Sequence, residues 1–184
     1  MRLHPPDPLP FETPRLLVGW LEDRHLETFV AYRSDPEVAR YQSWSDYDAA
    51  RGQALIDALK GRRFGEEGWA QLAIERRGSG EHVGDLAVRF FDEGRQAELG
   101  FTLAPPQQGL GYVTEAARGL LGVLFGLMEL HRVIAITDEA NAAAIATLER
   151  LGLRLEGRYR KNVFFKGAWG DERSYALLRE EWGR

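Results

Sequence analysis

The chain has 184 residues, with 24 Lys and Arg against 28 Asp and Glu, four histidines and no cysteine. This length fits a single domain, which we expect to span residues 1–184. The lack of cysteine excludes disulfides, thiolate nucleophiles, iron–sulfur clusters and cysteine-based zinc sites. The net charge of −4 argues against sequence-independent binding of nucleic acid, and the histidines lack metal-ligand spacing. We therefore predict neither a nucleic-acid partner nor a metal.

The start of the chain has no feature of an export or membrane segment. Residues 1–10, MRLHPPDPLP, lack an apolar core and are too rich in proline for a helix, so we expect a proline-rich arm over 1–13. The most apolar stretch, residues 119–130, contains Glu129 and is well short of the roughly 20 residues needed to cross a bilayer. We expect a cytoplasmic protein without membrane contact.

Hydrophobic periodicity predicts one strand and two helices in the first third of the chain. Residues 14–20 (PRLLVGW) form the strand. Residues 22–34 carry apolar side chains at helical spacing, and Asp35-Pro36 is typical of a helix stop. Residues 45–59 form the second helix, which Ser45 can cap.

From residue 69 onward the pattern alternates, which indicates strands. The remaining predicted strands cover 69–77, 82–91, 97–105, 132–138, 153–166 and 169–179. The remaining predicted helices cover 111–130 and 141–151. Because hairpins precede and follow a strand–helix–strand unit, the order predicts an α/β (α+β) fold with a mixed sheet, not a doubly wound parallel one.

The most informative local sequence is QQGLGYVTEAA at 107–117, between a predicted strand and a predicted helix. Gly109 and Gly111 let the backbone turn, and a helix N-terminus has unpaired amides and a partial positive charge. Together they predict a cradle for a diphosphate. An ordinary glycine-rich turn capped by Thr114 explains the spacing equally well. A Rossmann loop needs a third glycine where Thr114 stands, and a Walker A loop needs a lysine, which this stretch lacks.

These residues resemble those of a known family, the GCN5-related N-acetyltransferases (GNAT), and within it the RimJ/RimL-like branch. Gln108 and Gly111 match the Q/R-x-x-G-x-G/A loop of the family, and GYVTEAARGLL resembles the helix opening of the branch. Further matching segments follow in the order of the family: PRLLV near the start, SDPEV at 34–38, AELGF at 97–101, DEAN at 138–141, LERLGLRLEGR at 148–158 and GAWGDERSY at 167–175. The ordered set covers nearly the whole chain.

The resemblance implies a mixed, mostly antiparallel sheet of seven strands, flanked by about four helices and splayed at the cofactor site. It also implies acetyl-CoA as co-substrate and a primary amine as acceptor (a protein N-terminal α-amine or a small-molecule amine). Homodimers occur in this branch, but the sequence does not determine the oligomeric state. The residues that it places at the cofactor are Phe101, Thr102, Leu103, Gln108, Gly109, Leu110, Gly111, Tyr112, Val113, Thr114 and Asn141. A plain helix cap explains Asn141 about as well.

Acetyl transfer to an amine needs a group that removes a proton, and Glu98 is the first candidate for this base. Glu98 lies in the middle of a predicted strand, where a carboxylate is uncommon unless it is paired or used. An ion pair with Arg89 is the alternative. Glu156 matches a glutamate of the branch and is the second candidate, with a solvated strand end as its alternative. Without cysteine there is no acetyl-cysteine intermediate, so transfer is expected to be direct.

The acid that protonates the leaving thiolate is where the chain departs from the family. The resemblance places a serine or a tyrosine at positions that are Ala144 and Leu148 here, and neither side chain can donate a proton. Tyr175 and Tyr159 are substitutes, with a structural role as the alternative for Tyr175. A thiol pKa near 8.5 makes departure without an acid tolerable. The alternative function is therefore a catalytically reduced CoA-binding sensor or scaffold.

Several other residues have both a binding and a packing explanation. Leu110 stands where many relatives carry Arg or Lys, and Val113 replaces Gly or Ala, so we expect weaker cofactor binding than in a standard member. Aromatic and basic side chains that flank an acceptor groove, or else belong to the core, are Trp44, Tyr47, Arg51 and Trp69. Glycines that share one face of the predicted helix, most simply for close packing on the sheet, are Gly119, Gly122 and Gly126.

Overall fold

A computed structural model describes residues 7–183 and contains one eight-stranded sheet with helices on both faces. The strands are β1 (Phe11–Glu12), β2 (Leu16–Trp20), β3 (Gly68–Arg76), β4 (His82–Phe91), β5 (Gln96–Leu103), β6 (Arg132–Asp138), β7 (Arg154–Phe165) and β8 (Ala168–Leu178). Their order across the sheet is β1-β2-β3-β4-β5-β6-β8-β7. Neighbouring strands are antiparallel except β5 and β6, which are parallel. The mixed, mostly antiparallel class predicted from the sequence is confirmed, with eight strands instead of seven.

Five α-helices connect the strands: α1 (Leu26–Arg33), α2 (Pro36–Ala39), α3 (Ala49–Leu59), α4 (Tyr112–Gly122) and α5 (Ala142–Arg150). Short 3₁₀ turns cover Asp23–His25, Pro105–Gln107 and Arg179–Glu181. The helices α1 and α3 cover one face of the sheet with an aromatic core that includes Phe29 and Trp44. The helix α4 covers the other face, where Leu120 and Leu124 are fully buried. None of the helices in residues 7–183 is long and apolar enough to cross a membrane.

The first helix ends at Arg33, just before the predicted stop at Asp35-Pro36, but two helix starts near the beginning of the chain differ from the prediction. Asp35-Pro36 begins α2: the Asp35 carboxylate accepts hydrogen bonds from the next amides, and proline suits the first helical position. In α3 the cap is Asp48, which accepts from the Arg51 amide at 2.8 Å, and not Ser45. The predicted arm over 1–13 includes β1, and its residues 1–6 lie outside the described part of the chain.

The predicted helix over 111–130 is shorter and less regular than expected. It begins at Tyr112 with Gly111 as its cap, so Thr114 lies inside the first turn and is not the cap. After Gly122 the chain widens into a π-helical turn over Val123–Leu127. Of the three glycines on the helix face, Gly119 has close neighbours: a Cβ there would lie 2.8 Å from the Phe11 ring. Gly119 therefore allows α4 to pack closely against the strand β1.

The feature that positions a site is the gap between β5 and β6. These strands pair only where Gln96–Glu98 lies beside Arg132–Ile134, and β5 continues to Leu103 without β6 as a neighbour. Meanwhile β4 stays paired with β5 as far as Leu103, and β6 stays paired with β8 along its whole length. The sheet is therefore split between two intact halves, and the β6-facing edge of β5 is open beyond Glu98.

Candidate functional site

Three adjoining cavities follow this gap from one face of the sheet to the other. The loop cavity, of about 920 Å³, lies beside the start of α4 and includes Gly109, Gly111 and Thr114. The gap cavity, of about 280 Å³, includes Phe101 and Asn141. The far-face cavity, of about 260 Å³, is bordered by Tyr41, Gly100, Ile136, Asp138 and Glu172, among others.

Neighbouring cavities share several of the residues that line them, so the three lie in a row along the gap, which we call the passage. The loop and gap cavities share Leu103, Gly109, Val113, Ala143 and Thr147. The gap and far-face cavities share Tyr41, Gln42, Phe101, Asn141 and Ala144. This row runs from the start of α4, past the open edge of β5, to the residues at the end of β6.

The loop before α4 has the geometry of an anion cradle. Gly109 and Gly111 have φ of 76° and 79°, a conformation that side chains with a Cβ rarely adopt. The Gly111 carbonyl accepts the first helical bond, from Glu115 at 3.0 Å, so the amides of Tyr112, Val113 and Thr114 lie at the open helix end. Since a Cβ at Gly109 would meet no atom within 4 Å, the space above the loop is open. These residues fit the diphosphate of a nucleotide cofactor.

A brace from the turn between β1 and β2 holds this loop in shape. The Arg15 guanidinium donates to the Leu110 carbonyl at 3.0 Å and to Glu115 at 2.6 Å, and it lies over the Tyr112 ring. The Thr13 hydroxyl and the Arg15 amide also donate to Glu115, at 2.6 and 2.8 Å. Burial alone would raise the pKa of Glu115, but these hydrogen bonds lower it, so the carboxylate remains charged.

The gap cavity offers hydrogen-bonding groups to an extended ligand. Beyond Glu98 the edge of β5 has no strand beside it, so its main chain can pair with a ligand as with an added strand. Gln108 donates to the Leu103 carbonyl at 3.2 Å and ties the loop to this edge. Asn141 caps α5 by accepting the Ala144 amide at 3.1 Å, which leaves its side-chain NH₂ without a partner among residues 7–183. Both interpretations of Asn141 are therefore compatible with the geometry, since a capping oxygen and a donating nitrogen belong to the same side chain.

The far-face cavity carries two carboxylates side by side. Asp138 at the end of β6 is the cross-strand partner of Glu172 on β8. Asp138 accepts the Ala140 amide at 2.7 Å, and Glu172 accepts the Asn162 amide group at 2.5 Å. Within residues 7–183 neither carboxylate has an ion-pair partner. The pair gives this end of the passage a negative charge and a possible proton acceptor.

The structure places Glu98 outside the passage. Its carboxylate accepts from Arg89 on β4 at 2.6 Å, the ion pair that was the alternative to a catalytic role. Glu98 lies opposite Ile134, and Asp138 is four residues further along β6, about 13 Å at the usual rise of a strand. Glu98 shares a face of the sheet with the far-face cavity but does not line it.

The other two predicted catalytic residues also lie away from the passage. Glu156 on β7 is paired with Arg132 at 2.5 Å and with Arg154 at 2.7 Å, and the Arg132 hydrogen bond lowers the pKa of its carboxyl. Tyr175 is only 1% exposed and points into the core, with its hydroxyl 3.4 Å from Glu149. Neither residue lines any of the three cavities.

Tyr41 contributes a phenolic hydroxyl to the passage that the sequence did not single out. Ala144 borders the gap and far-face cavities, and Leu148 borders the far-face cavity, so neither supplies a proton there. Tyr41 borders the same two cavities, and its hydroxyl donates to the Ala140 carbonyl at 3.3 Å. Tyr41 lies two residues after the end of α2. Reading Asp35-Pro36 as the start of a helix would have indicated where Tyr41 lies.

A buried arginine holds the segment that carries Tyr41. The Arg33 guanidinium donates to Asp85 at 2.8 Å and lies over the rings of Trp44 and Tyr47. The Trp44 indole in turn donates to the Arg33 carbonyl at 2.9 Å. Trp44 and Tyr47 are therefore core residues that position the wall of the passage, not parts of its surface.

Comparisons with known proteins agree with this geometry. Residues 15–154 match the model of the family described as the acetyltransferase (GNAT) domain. The uncharacterized N-acetyltransferase YnaD of Bacillus subtilis is 29% identical over 92% of this chain and 97% of its own length. A GNAT-family acetyltransferase from Bacillus anthracis has a TM-score of 0.87 at 26% identity, covering 94% of this chain and all of the other.

A third comparison concerns a fold neighbour with bound molecules. The spermidine N-acetyltransferase of Vibrio cholerae, solved in complex with CoA and spermine, has a TM-score of 0.80 at 18% identity, covering 92% of this chain and 98% of the other. This identity shows a shared fold and no more. The family match covers most of the chain, so the chain belongs to the GNAT acetyltransferase family, and the N-acetyltransferase class implied by its sequence is confirmed. GNAT acetyltransferases use acetyl-CoA, and residues 7–183 contain no cluster of potential metal ligands.

Proposed function

We propose that this protein transfers the acetyl group of acetyl-CoA directly to a primary amine. The observation that carries the proposal is the row of adjoining cavities along the split in the sheet, with an anion cradle at one end and two carboxylates at the other. The amides of residues 109–114 hold the diphosphate, and the open edge of β5 at Phe101 and Leu103 pairs with the pantetheine arm. When bound, acetyl-CoA supplies a thioester near the narrow part of the passage.

The reaction exchanges one bond to the acetyl carbon for another. The C–S bond breaks, a C–N bond forms, and the proton released from the amine is finally balanced by protonation of the thiolate. Main-chain N–H groups near Phe101 are the candidates for stabilising the charge that develops on the thioester oxygen. The chain has no cysteine to carry the acetyl group, so both substrates must be bound together.

The carboxylate best placed to remove the proton is Asp138. Asp138 borders the far-face cavity, and its Oδ1 accepts the Ala140 amide while its Oδ2 accepts no hydrogen bond within residues 7–183. Glu172 beside it keeps the region negative. A positive acceptor ammonium is attracted to this pair, and its proton can pass to Asp138 as the amine attacks. Glu98, Glu156 and Tyr175 stay predictions from the sequence, to be tested against Asp138.

The acceptor is a primary amine, either a protein N-terminal α-amine or a small-molecule amine. The far-face cavity opens on a face that the cofactor does not occupy, so a bulky acceptor need only insert its amine. The Vibrio cholerae fold neighbour was solved with spermine, a small-molecule amine, so polyamines are included among the amines to be tested. A homodimer, as in other members of the branch, stays part of the proposal.

A second candidate function is a CoA-binding sensor or scaffold. The observation in its favour is that Ala144 and Leu148 put no proton donor beside the leaving thiolate. Such a protein would bind CoA in the loop and gap cavities but would not catalyse acetyl transfer.

Release of free CoA thiol separates the two functions. The full chain is incubated with acetyl-CoA and a panel of N-terminal peptides, polyamines and small amines, and thiol is followed with a chromogenic disulfide. Amine-dependent thiol release above hydrolysis supports the enzyme, whereas CoA-specific thermal stabilisation without release from any amine supports the sensor. Stabilisation by NAD or ATP but not by CoA would contradict both.

A further inference from the structure

The loop cavity has two arginines on the side away from the phosphate loop. Arg118 lies on α4, seven residues after Gly111 and therefore about 10 Å further along the helix. Arg150 is the last residue of α5. Both line the cavity and both side chains are solvent-exposed. Arg118 donates to the Arg150 carbonyl at 2.9 Å, which brings the two residues together.

Carboxylates do not neutralise these arginines. The acidic residues bordering the same cavity are Glu12 and Glu115. Glu12 is paired with Arg77 at 3.0 Å, and Glu115 with Arg15 at 2.6 Å. Neither Arg118 nor Arg150 forms an ion pair within residues 7–183, although most arginines of this acidic protein do.

We propose that Arg118 and Arg150 bind the ribose 3′-phosphate of CoA. The proposal rests on the proposed function, since it takes the diphosphate to lie in the cradle at residues 109–114. CoA differs from simpler adenine nucleotides by this additional phosphate, which lies beyond the diphosphate on the ribose. A guanidinium fork matches the geometry of a phosphate and remains charged at any relevant pH. Leu110 leaves the loop itself without a cation, so these two arginines supply the positive charge of the cavity.

The test compares CoA with 3′-dephospho-CoA, which lacks only that phosphate. Isothermal titration calorimetry on the full chain is expected to give a Kd about tenfold lower for CoA. Arg118→Gln and Arg150→Gln each weaken CoA binding several-fold and leave dephospho-CoA binding unchanged, and in the double variant the two ligands bind equally. Raising the salt concentration weakens CoA binding more steeply than dephospho-CoA binding in the wild type only.

Two controls keep the experiment decisive. Arg160→Gln removes an exposed arginine of β7 that borders none of the three cavities, and it should change neither Kd. Arg118→Lys keeps the positive charge but loses the bidentate hydrogen bonding of the guanidinium. It should keep part of the preference for CoA over dephospho-CoA. Equal binding of CoA and dephospho-CoA by the wild type would overturn the proposal while leaving the proposed function intact. Binding of neither ligand would overturn both.

Discussion

At the scale of single residues, the position of a carboxylate along its strand separates a structural role from a chemical one. Glu98 and Asp138 share a face of the sheet, but Glu98 lies where β5 and β6 are still paired and is bound to Arg89. Asp138 lies beyond the point where the strands part. Two carboxylates on neighbouring strands therefore have different environments.

This difference predicts opposite outcomes for two isosteric substitutions. Asp138→Asn should lower kcat/KM at pH 7 by about 100-fold, the range of a lost general base, and should remove the acidic limb of the pH–rate profile. Glu98→Gln should cost less than about fivefold in kcat/KM and less than about 1 kcal/mol in stability, because it breaks a partly exposed ion pair. Steady-state kinetics across pH 5–9 check both. If Glu98→Gln abolishes turnover and Asp138→Asn does not, the base is Glu98.

Tyr41 borders both the gap cavity and the far-face cavity, and we propose its hydroxyl as the proton donor to the leaving thiolate. We expect Tyr41→Phe to lower kcat about tenfold while the Kd for CoA stays within twofold, because the ring remains and only the proton donor is lost. Calorimetry and thiol release measure the two quantities separately. As a matched control, Tyr159→Phe removes a hydroxyl outside the passage and should leave kcat unchanged. An unaffected kcat in Tyr41→Phe would show that the thiolate leaves without help from this side chain.

At the scale of elements, the cofactor loop depends on a segment nearly 100 residues earlier in the chain. Arg15 and Glu115 connect the turn after β1 to the first turn of α4. Glu115→Gln should weaken CoA binding about tenfold and destabilise the fold by about 1 kcal/mol, since the loop loses its brace but keeps its glycines. Calorimetry and urea unfolding measure the two effects. Glu139→Gln, which breaks an ion pair with Arg173 instead, is the control and should leave CoA binding unchanged.

The elements that the sequence predicted well are those whose pattern is local. The strands at 82–91 and 132–138 have the predicted boundaries, because alternation or a continuous apolar run ends sharply at both sides. The phosphate loop could be located for the same reason, since two glycines and a helix start lie within a few residues. The short helix α2 was missed because Asp35-Pro36 is typical of both a helix stop and a helix start.

The acceptor side could not be predicted from local pattern. Tyr41, Asp138 and Glu172 come from distant parts of the chain and meet only because β8 returns beside β6. Likewise, the sequence allows Trp44 and Tyr47 to flank an acceptor groove, but in the structure their rings pack on the buried Arg33 guanidinium in the core. The order of the strands and the buried charge of Arg33 determine where these side chains lie. Neither can be predicted from the spacing of residues along the sequence.

At the scale of the whole molecule, a buried polar cluster beneath α1 couples folding to pH. His82 is 9% exposed, and neither ring nitrogen has a hydrogen-bond partner within residues 7–183. Burial and, next, the electrostatic effect of His25 together lower the pKa of His82 to about 4, against the opposing effect of Asp85 and Glu75. The Tyr32 ring, whose hydroxyl donates to Asp85, packs against the same imidazole.

We expect stability to fall as the pH drops through this range. The unfolded chain binds a proton at His82 below about pH 6.5, while the folded chain stays neutral there down to about pH 4. Unfolding is therefore favoured by acid, by about 2 kcal/mol between pH 7 and pH 5. His82→Leu should remove this part of the pH dependence, whereas His131→Gln, at an exposed histidine, should not. Urea unfolding at pH 7 and pH 5 measures the free energy of unfolding. The same loss of stability between these pH values in wild type and His82→Leu would contradict the prediction.

The passage through the split sheet has a consequence for the order of events in turnover. In the proposed function CoA binds at the cradle before α4 and the acceptor amine at Asp138 and Glu172, so the two substrates enter from different ends of the passage and neither closes the entrance of the other. Addition in either order is then possible, and spent CoA can leave while the acetylated product is still bound. Because the two entrances are independent, the bulk of the acceptor sets no limit on how fast the cofactor is exchanged.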